Sequence, residues 1–221
     1  MNFRCARVVA FVVAAQAMTI ASGQDASVDR LIKKLPPPEK VISVDPASRD
    51  PMVKQITDAT KSMNFGSAYS LSRNLASRYP KSAGAQLIHG QLSLLVRRYP
   101  EASDAFHKAI SIQPNFAFAY VGLALSESAQ NHISGAMSNF RQVTRLNPNA
   151  EIGWIGLSAC AEKVGRKGDS LDYARHATSV APKSFAAWLQ LSRAEGISGN
   201  KQAAEKALAR AKQLQRNAPR R

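Results

Sequence analysis

The side chains that could do chemistry in this chain never assemble into a working set. None of its 4 histidines (His89, His107, His132 and His176) stands at a metal-ligand spacing from a cysteine or an acid. Each therefore reads as a surface group or a satisfied core group. Cys160 lies between small residues, Ser158, Ala159 and Ala161. It reads as a small buried hydrophobe, because a reactive thiol needs a basic partner that the sequence does not supply. Serine is abundant, yet no nucleophile elbow occurs. Gly165-Arg166-Lys167-Gly168 lacks both the spacing and the preceding strand of a phosphate-cradling loop. The 15 acidic residues are too dispersed to pair as general acid and base. No catalytic residue, no metal site and no cofactor is expected.

Spacing in this chain organises architecture instead. Pro46, Pro80, Pro114, Pro148 and Pro182 follow one another at intervals of 34 residues. With proline near 5% of ordinary sequence, four successive hits by chance have a probability on the order of one in a hundred thousand. From residue 49 the chain divides into frames 49–82, 83–116, 117–150, 151–184 and 185–218. A fixed period of this length signals stacked supersecondary units. Within a frame, apolar residues recur at three- and four-residue steps in two runs, which predicts a pair of amphipathic helices. Asn131, Gly165 and Gly199 fall between the runs, where a left-handed residue ends the first helix. The prolines then stop each second helix, and Ser82, Asn115, Asn149 and Ser184 stand where they could cap the next first helix.

The third frame reads Tyr120, Leu123, Ala124, Ala136, Phe140 and Pro148. The fourth reads Trp154, Leu157, Ser158, Ser170, Ala174, Ala177 and Pro182. The fifth has Trp188, Leu191, Ser192, Ala204, Leu208 and Ala211, and the second keeps Gly90, Ala102, Phe106, Ala109 and Pro114. At these offsets, over 49–218, the chain resembles the tetratricopeptide-repeat family. The resemblance implies an all-α fold, a right-handed α-solenoid of about five stacked helix-turn-helix repeats. The small residues are expected to let paired helices approach while the aromatics fill the gaps between them. Three departures stand out. Gln55 and Ile56 replace the Leu-Gly pair of the first frame, so its first helix is expected to pack loosely or to cap the stack. Gln86 and His89 occupy places that are usually apolar. Arg216 stands where the ruler calls for proline, and the preceding run from Lys201 has the polar, basic face of a terminal capping helix.

In the family, the first helix of each repeat lines a concave groove that receives partner peptides. Carried over position by position, that groove comprises Leu87, Gln91, Leu94, Phe118, Val121, Leu125, Ile152, Ile155, Leu189 and Arg193. Only Gln91 and Arg193 are strongly polar donors, so the family's clamp for acidic peptide ends is expected to be absent. A mostly apolar lining suits an amphipathic helix or an extended apolar segment of a protein partner. The other reading is that the chain fills its own groove with Leu31, Ile32 and Leu35. A separate basic surface comprises Lys201, Lys206, Arg210, Lys212 and Arg216. It reads as a solvated cap or as a contact for an anionic polymer or membrane surface. Nucleic acid is not expected as a partner, because this stretch has no aromatic side chains on which bases could stack.

Residues 1–23 form a segment of their own. Arg4 and Arg7 precede an apolar run from Val8 to Ala21, and Ala21-Ser22-Gly23 offers small residues for cleavage, the three-part pattern of a signal peptide. Cleavage there would remove Cys5 and leave Cys160 as the single cysteine, so packing rather than an internal disulfide would hold the exported protein. Residues 24–48 read as a lead-in, with Ser27 capping a short helix and Pro36-Pro37-Pro38 extended. Residues 219–221 read as a basic tail. Lys and Arg number 30 against 15 acids, giving a formal net charge of +15, which favours anionic surroundings. The expectation is a non-enzymatic interaction scaffold of the periplasm or cell envelope. The alternative is an electrostatic binder acting through the basic C-terminal helix.

Overall fold

The computed structural model describes residues 45–217. Among them are ten α-helices and one short 3-10 turn, Pro46–Arg49, and no strand. Each 34-residue frame holds one pair of helices: α1 (Pro51–Lys61) with α2 (Phe65–Arg78), α3 (Ala83–Leu95) with α4 (Tyr99–Ile112), α5 (Ala117–Ala129) with α6 (Ile133–Leu146), α7 (Glu151–Lys163) with α8 (Lys167–Val180), and α9 (Phe185–Ile197) with α10 (Lys201–Arg216). The signal segment 1–23, the lead-in up to residue 44 and the tail 219–221 lie outside the described residues, and with them Ser27, Leu31, Ile32, Leu35 and the three consecutive prolines.

The prolines act as helix stops. α2, α4, α6 and α8 end at Arg78, Ile112, Leu146 and Val180, each two residues before its proline. The residue in between is pushed out of the helical region, as a pre-proline residue must be; Gln113 and Asn147, for example, have φ of −133° and −145°. Inside each pair a second ruler runs through the left-handed residues. Met63, Arg97, Asn131, Gly165 and Gly199 have φ of 59°, 63°, 63°, 76° and 87°. The predicted Asn131, Gly165 and Gly199 are joined by two side chains with no preference for this region.

The caps separate by one residue of register. Ser82 and Ser184 are N-caps, their hydroxyls accepting from the backbone N–H of Ala85 and Ala187. Asn115 and Asn149 do not cap. α5 and α7 start from Phe116 and Ala150 without a side-chain cap bond, and one residue further out an amide falls short of the first-turn N–H groups. The folded body also begins earlier than residue 49. Asp45 accepts from the N–H of Ala47 and Gly84, each at 3.0 Å, and from the Ser82 hydroxyl, while Ala47 is buried.

The described residues form two compact units, one ending at Asn131 and the other beginning at His132. In the first, Ile56, Ala68, Leu75, Ala85 and Ile88 join one fully buried cluster. α1 is therefore firmly packed, which corrects the expectation of a loose first helix. Ile56 itself supplies the burial that the missing Leu-Gly pair would have provided. Beside this cluster the Phe106 ring is wedged between α3 and α5. A Cβ on Gly90 would lie 2.7 Å from it and one on Gly122 2.2 Å, so only glycine permits this approach. In the second unit Phe140 repeats the arrangement against Gly156, where a Cβ would lie 2.4 Å from the ring. Ser158 and Ser192, 34 residues apart, donate across their helix pairs to the carbonyls of Ser170 and Ala204, both at 2.8 Å. Trp154 and Trp188 donate through Nε1 to the carbonyls of Pro148 and Pro182 at 2.8 and 2.9 Å. Cys160 is buried.

Candidate partner-binding surfaces

The predicted groove divides into interior and surface. In the first unit Leu87, Leu94, Val121 and Leu125 are 0, 2, 1 and 0% exposed. In the second, Ile155 is 5% exposed. These five are interior side chains, and their assignment as open groove lining is corrected. The reason lies in helices buried on almost every side. α3 also buries Ala83, Ala85, Ile88 and Leu92, and α5 buries Ala119, Leu123 and Ala124, the signature of a helix enclosed by neighbours. Gln91 on α3 is half-buried. Phe118 on α5 is 43% exposed. In the second unit Ile152 and Leu189 are half-buried and Arg193 is exposed. Its Nε donates to Glu162 Oε1 at 2.6 Å.

Phe118 and Ile152 occupy the same place in successive frames, the second residue of a first helix. Each has an exposed aliphatic partner across its loop, Ile112 before Phe118 and Leu146 before Ile152. Each unit thus presents an apolar pair flanking a ruler proline, Pro114 in one and Pro148 in the other.

α10 buries only Ala207 and Ala211. Lys201, Lys206, Arg210, Lys212 and Arg216 are all exposed, and Glu205 is the helix's single acid. Among the described residues none of the five makes an ion pair; Arg210 donates to the Gln213 side chain at 2.7 Å.

One further site lies in the first unit, and sequence reasoning did not reach it. A pocket of about 220 Å³ is lined by Tyr69 and Arg73 of α2, Gln86 and His89 of α3, and Glu101, Asp104, Ala105 and Lys108 of α4. The Tyr69 hydroxyl donates to Glu101, which raises the Tyr69 pKa above its ordinary value, with burial adding to the effect. Arg98 pairs with the other Glu101 oxygen at 3.0 Å and lies over the Tyr69 ring, 5.2 Å from its centroid. Burial pushes the His89 pKa down, with Lys108 and Arg73 acting in the same direction and Glu101 opposing them. The available signal was the pair of polar residues, Gln86 and His89, at positions that are aromatic and leucine in the following frames. Among the described residues no group of His, Cys, Asp and Glu could hold a metal ion.

No protein-family model matches the sequence. Over 116 residues, 52% of this chain, it is 27% identical to the anaphase-promoting complex subunit cut9 of Schizosaccharomyces pombe, and it spans 17% of that protein's length. Among solved structures, MamA from Desulfovibrio magneticus RS-1 superposes with a TM-score of 0.66 at 12% identity, covering 76% of this chain and 95% of that one. YrrB, described as a TPR protein with an unusual peptide-binding site, gives a TM-score of 0.58 at 17% identity, covering 81% and 92%. At these identities the likeness is one of fold.

Proposed function

We propose, because this chain has the tetratricopeptide-repeat fold, that it is a non-enzymatic scaffold which captures an apolar segment of a protein partner through its first helices. The observation that carries this reading is Phe118, a large side chain 43% exposed on an otherwise buried helix. Fully burying a phenylalanine is worth roughly 1.5–3 kcal/mol, of which Phe118 forgoes somewhat under half, and exposed apolar patches mark contact sites. Phe118 and Ile112 are both exposed on either side of Pro114 in one unit, and exposed Leu146 with half-buried Ile152 flanks Pro148 in the other. Phe118→Glu and Ile152→Glu should abolish capture of the partner from an envelope extract while helicity by circular dichroism stays unchanged. Capture that survives both substitutions overturns the reading.

The working place of the scaffold is the periplasm or cell envelope, a reading that rests on the residue pattern of 1–23. Mass spectrometry of protein from the native host should find a mature N-terminus near Gln24, and an intact Met1 would contradict export.

A second reading has an observation of its own. The five exposed cations of α10 suit an anionic polymer or membrane surface, at about 1 kcal/mol per basic residue near an anionic leaflet. Salt discriminates between the two. Contact through α10 should fade as the Debye length shrinks from about 10 Å at 0.1 M to about 3 Å at 1 M, whereas capture through Phe118 should persist.

A further inference from the structure

The polar pocket of the first unit exists because the repeat pattern breaks there. Tyr120, Trp154 and Trp188 hold the place that Gln86 takes in the second frame, and Leu123, Leu157 and Leu191 hold the place of His89. Gln86 lines the space and is tied down by donating from Nε2 to the Ala76 carbonyl at 3.1 Å. His89 remains at the pocket, its ring tilted against Tyr69 at 5.6 Å between centroids.

The hydrogen bonds around Ser72 favour one tautomer of the imidazole. The Ser72 hydroxyl donates its one proton to the Tyr69 carbonyl at 2.7 Å. The shorter contact takes the hydroxyl proton, so at the 3.2 Å contact between Ser72 Oγ and His89 Nδ1 the ring is assigned as the donor. The neutral ring then carries its proton on Nδ1, which leaves Nε2 bare.

The charges around it do not balance. Glu101 is occupied by the Tyr69 hydroxyl and Arg98. Arg73 of α2 and Asp104 and Lys108 of α4 are exposed around the same pocket, and no ion pair joins any of them to another described residue. Two uncommitted cations thus face one uncommitted acid. At about 220 Å³ the pocket is smaller than the roughly 300–1,000 Å³ typical of sites that enclose whole small molecules. It is suited to one side chain, one chain end or one small acid.

We propose that this pocket binds a carboxylate between Arg73 and Lys108, and that His89 takes up a proton at Nε2 when the carboxylate enters. Neither cation is among the residues of the proposed scaffold surface, although Lys108 shares α4 with Ile112, so the inference does not rest on that reading. In the empty pocket, burial, Arg73 and Lys108 keep His89 neutral against the pull of Glu101. A bound carboxylate adds a negative charge beside the ring and offsets the two cations, which favours the imidazolium. Linkage requires the converse: a protonated His89 must tighten carboxylate binding by the same factor.

The test follows the His89 ring signals by NMR in the full-length chain. The probes are acetate, the blocked pentapeptide Ac-Ala-Ala-Glu-Ala-Ala-NH2 and its Gln counterpart. The Glu peptide should raise the His89 titration midpoint, and each unit of rise should give about tenfold tighter binding at acidic than at alkaline pH. The Gln peptide should leave the signals unmoved. Arg73→Gln and Lys108→Gln should each weaken binding by up to about fivefold with an unchanged circular dichroism spectrum, and His89→Gln should remove the pH dependence while retaining binding at alkaline pH. Both sources of the carboxylate support the proposal. Acetate binding as tightly as the peptide identifies a free small acid, and weaker acetate binding identifies a peptide side chain. Equal binding of the Glu and Gln peptides, a His89 midpoint unmoved by either carboxylate, or full binding in both cation variants would overturn it.

Discussion

Gly122→Ala changes a single methyl group where the structure leaves no room for one. Its Cβ would fall 2.2, 2.3 and 2.7 Å from the Cζ, Cε1 and Cε2 atoms of Phe106, against an ordinary carbon contact of about 3.5 Å. The ring would have to retreat by more than about 1 Å, yet it already presses on α3 as well, where a Cβ at Gly90 would lie 2.7 Å away. Overpacking of a core costs about 1–3 kcal/mol, and a ring pressed by two helices belongs at the upper end. Alanine recovers about 1 kcal/mol of helix propensity over glycine. The net expectation is a loss of about 2 kcal/mol. Gly168→Ala is the matched control, since its Cβ would meet nothing within 4 Å and it sits in the first turn of α8; it should gain about 0.4–1 kcal/mol. Urea titration followed by far-ultraviolet circular dichroism measures both midpoints. A Gly122→Ala protein as stable as wild type, or a Gly168→Ala protein that loses as much, would refute the wedge.

Three other outcomes follow from particular residues. Met63→Gly and Arg97→Gly should each raise the urea midpoint by about 1 kcal/mol of stability, because an L-residue in the left-handed region costs about 1–2 kcal/mol there and glycine gives back part of that in unfolded-chain entropy. Asp50 should contribute to the acid limb of stability. Burial alone would raise its pKa, but the N–H of Met52, the Arg78 guanidinium and the Tyr79 hydroxyl outweigh burial and hold it below its ordinary value. A carboxyl depressed in the folded state lends stability that is complete above its unfolded value of about 3.9 and is lost as the pH falls through the folded value; the deficit of Asp50→Asn at pH 7 should therefore shrink below about pH 4 in a denaturation series. Val121→Glu and Ile155→Glu, at 1 and 5% exposure, should lower the thermal midpoint sharply, since each buries an unpaired charge, whereas Phe118→Glu should leave it nearly unchanged.

The helix pairs were legible because prolines, glycines and small residues carry their reasons locally. A proline stops a helix wherever it stands, and Gly165 and Gly199 tolerate positive φ in any context. Met63 and Arg97 were not legible by residue type, though they fall on the same 34-residue ruler as Asn131, so the period carried a signal that the residue types did not. The buried half of the groove was illegible for the opposite reason. Whether Leu87 or Phe118 faces water depends on what packs over it, and apolar type alone is the same in both. The polar pocket was half legible. Gln86 and His89 were visible departures in one helix, but Arg73 and Lys108 join them only through the packing of α2 and α4.

Site-specific photo-crosslinking in the native host tests the scaffold reading most directly. A benzoyl-phenylalanine placed at Phe118 should yield a discrete adduct with a protein partner, while the same group at exposed Lys54 on α1 should yield none. An adduct of equal strength at both positions, or none at Phe118, would contradict capture through the first helices.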